Sequence, residues 1–272
     1  MLVFENANTL NGMKVLIVDD IAENIDLLGH FLEKCGLIIS IAMDGEKALE
    51  LVGKVEPDLI LLDVMMPKLN GFEVCEILKK NEKHKHIPII FITALAEMEY
   101  VTKGFQVGGA DYISKPFQEE EVICRVNSQL KLLVRQNALV RQEKLYRTIV
   151  EKIPTLIFKV DPNLNISFVN PAFMELGYGP RDLVGNPLKD IINQGDNDKL
   201  VEEIATKEVG PLAPTGIEVE FKTNGESDLY QQMPSLKVAV DSVGIWNLSD
   251  EEVFKGNKNK KFLGTLCIAN IL

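Results

Sequence analysis

No CxxC pair occurs among the four cysteines (Cys35, Cys75, Cys124, Cys267), so the spacing of a zinc site or a disulfide framework is absent. They are expected as reduced core or surface thiols. The three histidines, His30, His84 and His86, all lie in the first third of the chain. No apolar run approaches a membrane span, and the amino terminus, Met-Leu-Val-Phe-Glu-Asn, lacks the basic region of a signal peptide. A cytoplasmic protein without a membrane partner is expected. Basic residues are in deficit: 29 Lys and Arg against 40 Asp and Glu leave a net charge of −11. That balance argues against nucleic acid as a partner, since nucleic-acid binding needs a basic face. No GxxxxGK[ST] loop is present to hold a nucleotide.

What is there is a globular composition, 46% hydrophobic and 25% charged over 272 residues, enough for two domains with a core each. Up to residue 118, strand-like and helix-like segments alternate five times. Lys14–Val18 is a short apolar strand ending in Asp19-Asp20. Asn24–Lys34 is helical in spacing and stops at Gly36. Leu37–Ile41 is a second strand, and Asp44-Gly45 turns into a helix. Asp58–Leu62 is the third strand, followed by a helix from Gly71 to Lys80. Ile87–Ile92 runs into Thr93-Ala94, a helix spans Ala96 to Phe105, and a short fifth strand reaches Ile113 before Ser114-Lys115-Pro116-Phe117. This alternation predicts βαβ units and a doubly wound parallel five-stranded sheet.

The third strand organises the rest. Leu59 to Leu62 is apolar without a break, as in a central strand buried on both faces. It ends on Asp63, with a turn at Pro67 and Asn70-Gly71. A carboxylate there is a nucleophile, a metal ligand, or simply a turn residue. The other strand ends weigh in. Strand one ends on two carboxylates, strand four on the Thr93 hydroxyl, and Lys115 follows strand five. In a flavodoxin-like strand order these groups meet at one rim. Three carboxylates in one cleft repel one another, so a hard divalent cation such as Mg²⁺ is the natural filler. The cation and Lys115 would neutralise charge on a phosphoryl group passed to Asp63.

Residues 13–118 resemble a response-regulator receiver domain. The resemblance rests on Val18-Asp19-Asp20, Asp63-Val-Met-Met-Pro-Lys-Leu-Asn-Gly, Thr93-Ala94 and Lys115-Pro116-Phe117, in order and at family-like separations. It implies that Asp63 accepts phosphate from a sensor histidine kinase or phosphotransfer protein. It also implies that Asp20, Asp63 and the Met65 backbone carbonyl ligate Mg²⁺, with Asp19 acting mainly through water. Thr93 would bond a phosphoryl oxygen, and Tyr112 would change rotamer with it. Met65 and Leu95 flank the acceptor in the family pattern and neither can orient an attacking water, so a slowly hydrolysed aspartyl phosphate is expected. A dehalogenase-type phosphohydrolase would need a second carboxylate two residues past its nucleophile, where this chain has Met65.

Between Phe117 and Ile153 there is no glycine or proline. Ile123, Val126, Leu130, Leu133, Asn137 and Val140 alternate by three and four, and Asn137 takes an a-type position. Residues 119–144 are therefore expected to form a helical connector and a parallel homodimeric coiled coil; the alternative is one amphipathic helix packed against the chain's own domains. The phase slips at Lys144, where Leu145 and Ile149 begin another stripe.

Residues 145–272 resemble a PAS domain, an α+β fold on an antiparallel sheet. The motifs are Ile157-Phe158…Asp161, Val169-Asn170-Pro171-Ala172-Phe173, Leu176-Gly177-Tyr178, Leu183-Val184-Gly185 and the closing Phe262–Leu266. Strands are expected at 155–160 and 165–169 around a turn at Asp161, with Asn170 capping a short helix. A helix over Asn197–Lys207 and strands over 216–223, 235–248 and 261–271 follow, and Lys258–Lys261 is expected as a solvated hairpin. With no histidine in this half, a histidine-ligated haem is not expected, nor is a covalent flavin, whose cysteine motif is missing. The ligand, if there is one, is unidentified. The whole reads as a phosphorelay protein: receiver, helical connector, PAS sensory or interaction module. Because the chain ends directly after its last strand, a piece of a longer protein is also expected, although a natural two-domain adaptor would end the same way. The alternative is the regulatory front of a larger enzyme, a hybrid histidine kinase or a nucleotide cyclase.

Overall fold

The computed structural model describes residues 10–94, 98–193, 195, 216–224, 234–246 and 262–272. Leu95, the helix expected at Asn197–Lys207 and the hairpin expected at Lys258–Lys261 lie outside the described residues. The chain divides into two compact units that part between Arg141 and Gln142.

In the first unit, strands β1 (Lys14–Val18), β2 (Ile38–Ala42), β3 (Leu59–Asp63), β4 (Ile89–Thr93) and β5 (Asp111–Ser114) form one parallel sheet in the order β2-β1-β3-β4-β5. All five residues of β3 and of β4 are buried. Strand periodicity sends alternate residues to opposite faces. Val15, Ile17, Leu59, Leu61, Ile90 and Ile92 pack with α1 (Ala22–Glu33) and the start of α5 (Glu119–Lys152). Leu16, Val18, Ile60, Leu62, Ile89 and Phe91 pack on the other face with α2 (Gly45–Val55) and α3 (Gly71–Lys80). Both faces are covered, which is why the central strands read as unbroken apolar runs. Helix α4 (Met98–Gln106) precedes β5.

Helix starts follow local chemistry. Asp44 caps α2 by accepting from the Lys47 amide, and Asn70 with Glu73 forms a capping box at α3. Gly71 opens α3 hard against the end of β3: a Cβ there would overlap the Asp63 carbonyl. That close approach is the physical content of the Asn70-Gly71 signal.

The seam expected on the connecting helix is divided by the structure. Val126, Leu130 and Leu133 are buried, the first two within the core of the first unit beside Val122, while Asn137 and Val140 are exposed. Half of that stripe is thus occupied by the chain's own sheet and is not available to a second helix.

The second unit is an antiparallel sheet in the order β7-β6-β10-β9-β8, built from β6 (Leu156–Val160), β7 (Ile166–Val169), β8 (Ile217–Lys222), β9 (Ser235–Trp246) and β10 (Phe262–Ile271). Asp161 builds the β6–β7 turn by accepting from the Asn163 and Asn165 amides, which hold its carboxyl below the ordinary value. A 3₁₀ turn at Pro171–Leu176 and the short α6 (Pro180–Leu183) cover one face. Phe158, Phe173 and Phe221 meet at its centre, with ring centroids 5.8 to 6.3 Å apart. Cys267 is buried there, and none of the four cysteines forms a disulfide.

Candidate functional site

The carboxyl ends of β1, β3 and β5 place two carboxylates around one ammonium. Asp19 is fully buried: Oδ1 accepts from the Ile21 amide at 2.9 Å and from Asn24 Nδ2 at 2.9 Å, and Oδ2 accepts from Lys115 Nζ at 2.8 Å. Asp63 is 3% exposed. Its Oδ1 accepts from Lys115 Nζ at 2.5 Å, and its Oδ2 accepts from the Met65 amide at 2.8 Å. On the strand next to β3, Thr93 is buried, and its carbonyl accepts from the Lys115 amide at 2.9 Å, which ties the lysine to the end of β4. Asp20 follows Asp19 as an exposed residue, and the Met65 side chain is also exposed.

Burial pushes the Asp63 carboxyl up from its ordinary value; the Lys115 bond and charge pull it down without overcoming burial, and Asp19 adds to the rise. Burial alone would lower Lys115, but its bonds to Asp19 and Asp63 hold the ammonium above the ordinary value. Two carboxylates against one ammonium leave an excess of one negative charge, and Asp20, exposed, is the next residue after Asp19. A divalent cation balances that excess together with the Asp20 charge, and every donor present is a hard oxygen, so the residues fit Mg²⁺. No group of three or more His, Cys, Asp or Glu side chains converges on one point among the described residues. Mg²⁺ does not require one, because it keeps several waters and takes one or two protein carboxylates.

Tyr112 lies in the adjoining cleft. Its ring meets Phe105 edge-on at 6.5 Å, and the Arg125 guanidinium covers it at 5.1 Å. Arg125 is held there by Asp111 at 2.7 Å and Glu121 at 2.9 Å. The cleft lined by Thr93, Phe91, Phe105 and Tyr112 leaves about 10 Å³, at most one water's worth. Thr93 and Tyr112 therefore face the same small apolar space.

Two polar residues of the first unit were not singled out from the sequence. Asn24 holds Asp19, and Arg125 holds Tyr112. The signal for Asn24 was an amide side chain in the first turn of a helix just after two aspartates. Arg125 carried no signal for this role, since Asp111 and Tyr112 come from β5.

In the second unit, Asn170 departs from its expected role. It stands at the N-cap position of the 3₁₀ turn but makes no side-chain cap bond. Instead its side chain is turned inward, because the fully buried amide finds better partners there. Oδ1 accepts from the Ile157 amide at 2.9 Å, and Nδ2 donates to the carbonyls of Val150, Ile153 and Thr155 at 3.2, 3.3 and 2.9 Å. One side chain thus ties the carboxyl end of α5 to β6.

Residues 15–127 match the family model described as "Response regulator receiver domain", and residues 144–250 match the one described as "PAS fold". Over 118 residues the chain is 40% identical to the DNA-binding dual master transcriptional regulator RpaA of Synechocystis sp., covering 43% of this chain and 49% of that protein. Over 123 residues it is 40% identical to the response regulator PleD of Caulobacter vibrioides, covering 44% of this chain and 27% of that protein. The matched stretch thus spans about half or less of these relatives. Among solved structures, the receiver domain of the Francisella response regulator 1452 is 35% identical, with 44% of this chain and 98% of that one covered and a TM-score of 0.42.

Proposed function

We propose that this chain, a response regulator receiver domain followed by a PAS domain, is a two-component phosphorelay protein that takes a phosphoryl group on Asp63. The observation that carries the reading is the meeting of buried Asp19 and Asp63 on Lys115 at the ends of three strands. A carboxylate oxygen of Asp63 attacks phosphorus, and the P–N bond to the histidine of a sensor kinase or phosphotransfer protein breaks. Lys115 neutralises negative charge on the phosphoryl oxygens, and the Thr93 hydroxyl bonds one of them. Asp20, Asp63 and the Met65 carbonyl would hold Mg²⁺, with Asp19 behind a water. The ion supplies charge neutralisation at the phosphoryl group. Tyr112 reports the change by moving against Arg125 and Phe105. The exposed methionine at 65 cannot orient a water, which supports a long-lived aspartyl phosphate.

The chain's own chemistry is then its phosphorylation and dephosphorylation, and any output enzyme lies elsewhere. The signal passes along α5 to the PAS half, a sensory or interaction module. We place the protein in the cytoplasm and its working form as a homodimer through the connecting helix. The acidic charge supports neither nucleic acid nor membrane as a partner, and no helix among the described residues is long and apolar enough to cross a membrane.

Incubation with acetyl phosphate and Mg²⁺, followed by intact-mass measurement, tests the acceptor. Wild type gains one phosphate and Asp63→Asn gains none. Equal gain in both proteins, or none in either, would overturn the assignment.

A further inference from the structure

Asn24 reaches back from the first turn of α1 to Asp19, five residues earlier in the chain. Its Nδ2 lies 2.9 Å from Oδ1 and 3.0 Å from Oδ2 of that carboxylate. Only the amino end of the amide can face both oxygens, because the carbonyl end would set lone pairs against an anion. Asparagine is a weak helix former, so its presence in this turn calls for a reason beyond the helix. Ile21, at the N-cap of α1, makes no side-chain cap bond, and its amide donates to Asp19 Oδ1 at 2.9 Å.

The two buried carboxylates differ in what is left open on them. An ionised carboxylate offers about four acceptor positions. Asp19 receives four contacts: the Ile21 amide, Asn24 Nδ2 on each oxygen, and Lys115 Nζ at 2.8 Å. Asp63 receives two, from Lys115 Nζ at 2.5 Å and the Met65 amide at 2.8 Å. Asp19 is therefore saturated and Asp63 is half open. Without Asn24, Asp19 would keep the Ile21 amide and Lys115 alone, and the two carboxylates would be equivalent in their capacity for a cation.

We propose that Asn24 is a positioning residue that saturates Asp19, fixing it as the anchor for Lys115 and leaving Asp63 as the carboxylate open to the phosphoryl group. This rests on the phospho-acceptor reading above and gives the physical reason for placing Asp19 behind a water. A carboxylate whose lone pairs are all in use must give one up before it can bind a cation directly. The donor is also neutral. It fills Asp19 without cancelling the negative excess of the cluster, which a second lysine at this place would do.

Two measurements on the full chain test this together, with far-UV circular dichroism checking that each variant is folded. One is titration calorimetry with Mg²⁺ in the absence of a phosphodonor. The other is the rate of phosphate uptake from acetyl phosphate at saturating Mg²⁺, read by intact mass. In Asn24→Ala, Asp19 has two open acceptor positions and competes with Asp63 for the ion. Affinity for Mg²⁺ rises while uptake slows by about tenfold. Asn24→Leu, which fills the space of the amide without its donors, behaves in the same way. In an Asp19→Asn background, Asn24→Ala changes Mg²⁺ affinity no further, because no carboxylate is left for it to hold. Weaker Mg²⁺ binding together with slower uptake is what a merely structural role predicts, and it would overturn the inference, as would equal effects in the two backgrounds. Wild-type affinity and rate in Asn24→Ala, with Asp63→Asn still inert, would overturn the inference and leave the acceptor reading standing. No uptake by wild type would overturn both.

Discussion

Each half of the molecule buries polar side chains, and the two do so in opposite ways. In the receiver half, Asp19 and Asp63 are charged, nearly inaccessible, and share a single ammonium, so the cluster keeps a negative excess. In the PAS half, Asn170 is neutral and fully buried, with its oxygen and its amide nitrogen both satisfied by backbone groups. An under-compensated cluster invites a cation and a phosphoryl group. A saturated one invites nothing and serves as a clamp. The difference separates a site from a joint.

The comparison breaks first at Lys115. Removing its ammonium in Lys115→Met leaves two buried carboxylates facing each other and is expected to cost about 3 kcal/mol at neutral pH by denaturant unfolding. Added Mg²⁺ should recover part of that loss; a variant as stable as wild type without Mg²⁺ would mean that the cluster is not electrostatically loaded.

The next largest effect belongs to the clamp. Asn170→Ala orphans the Ile157 amide and takes a donor from three carbonyls, so the unfolding transition of the PAS half should lose about 2 kcal/mol. Phosphate uptake by Asp63 is expected to stay at the wild-type level. A fall in both would show that Asn170 does more than hold the joint.

A smaller, pH-dependent difference sharpens the contrast. Because burial raises the Asp63 carboxyl in the folded state, its ionised form costs stability above that raised value. As pH falls through it, the fold takes up a proton that the unfolded chain does not yet bind, and wild type gains relative to a variant without the group. Asp63→Asn should therefore be more stable than wild type at neutral pH, with the gap closing in acid, as read by melting temperature against pH. Asn170→Ala should show no such pH dependence. The smallest effect is expected from Arg125→Ala, which uncovers Tyr112 and removes partly exposed ion pairs, for under about 1 kcal/mol.

The sites divide in the same way when their legibility is considered. Asp19, Asp63, Thr93 and Lys115 could be placed together before any coordinates, because each ends a strand and a parallel sheet brings strand ends to one rim. The PAS strands were legible from alternation and from the turn at Asp161. The role of Asn170 was not, since an Asn before a Pro reads locally as a cap and only the neighbouring end of α5 turns it inward. The stripe on α5 allowed two readings for a similar reason. Val126, Leu130 and Leu133 keep a heptad step whether they meet a second helix or the chain's own sheet.

The sequence by itself determined the alternation of five strands with helices and the polar residues that end those strands, and its motifs carried the resemblance to the receiver and PAS folds. The alternation follows from apolar periodicity and the helix-permissive stretch after Phe117 from the absence of glycine and proline, which are properties of neighbours along the chain. The strand order and the run of one helix from Glu119 to Lys152 belong to the tertiary structure. Tertiary structure alone decided which face of α5 is already occupied, which residues hold Asp19 and Tyr112, and that Asn170 is a clamp. The reason is physical: periodicity says that a face must be covered, and only packing says by what.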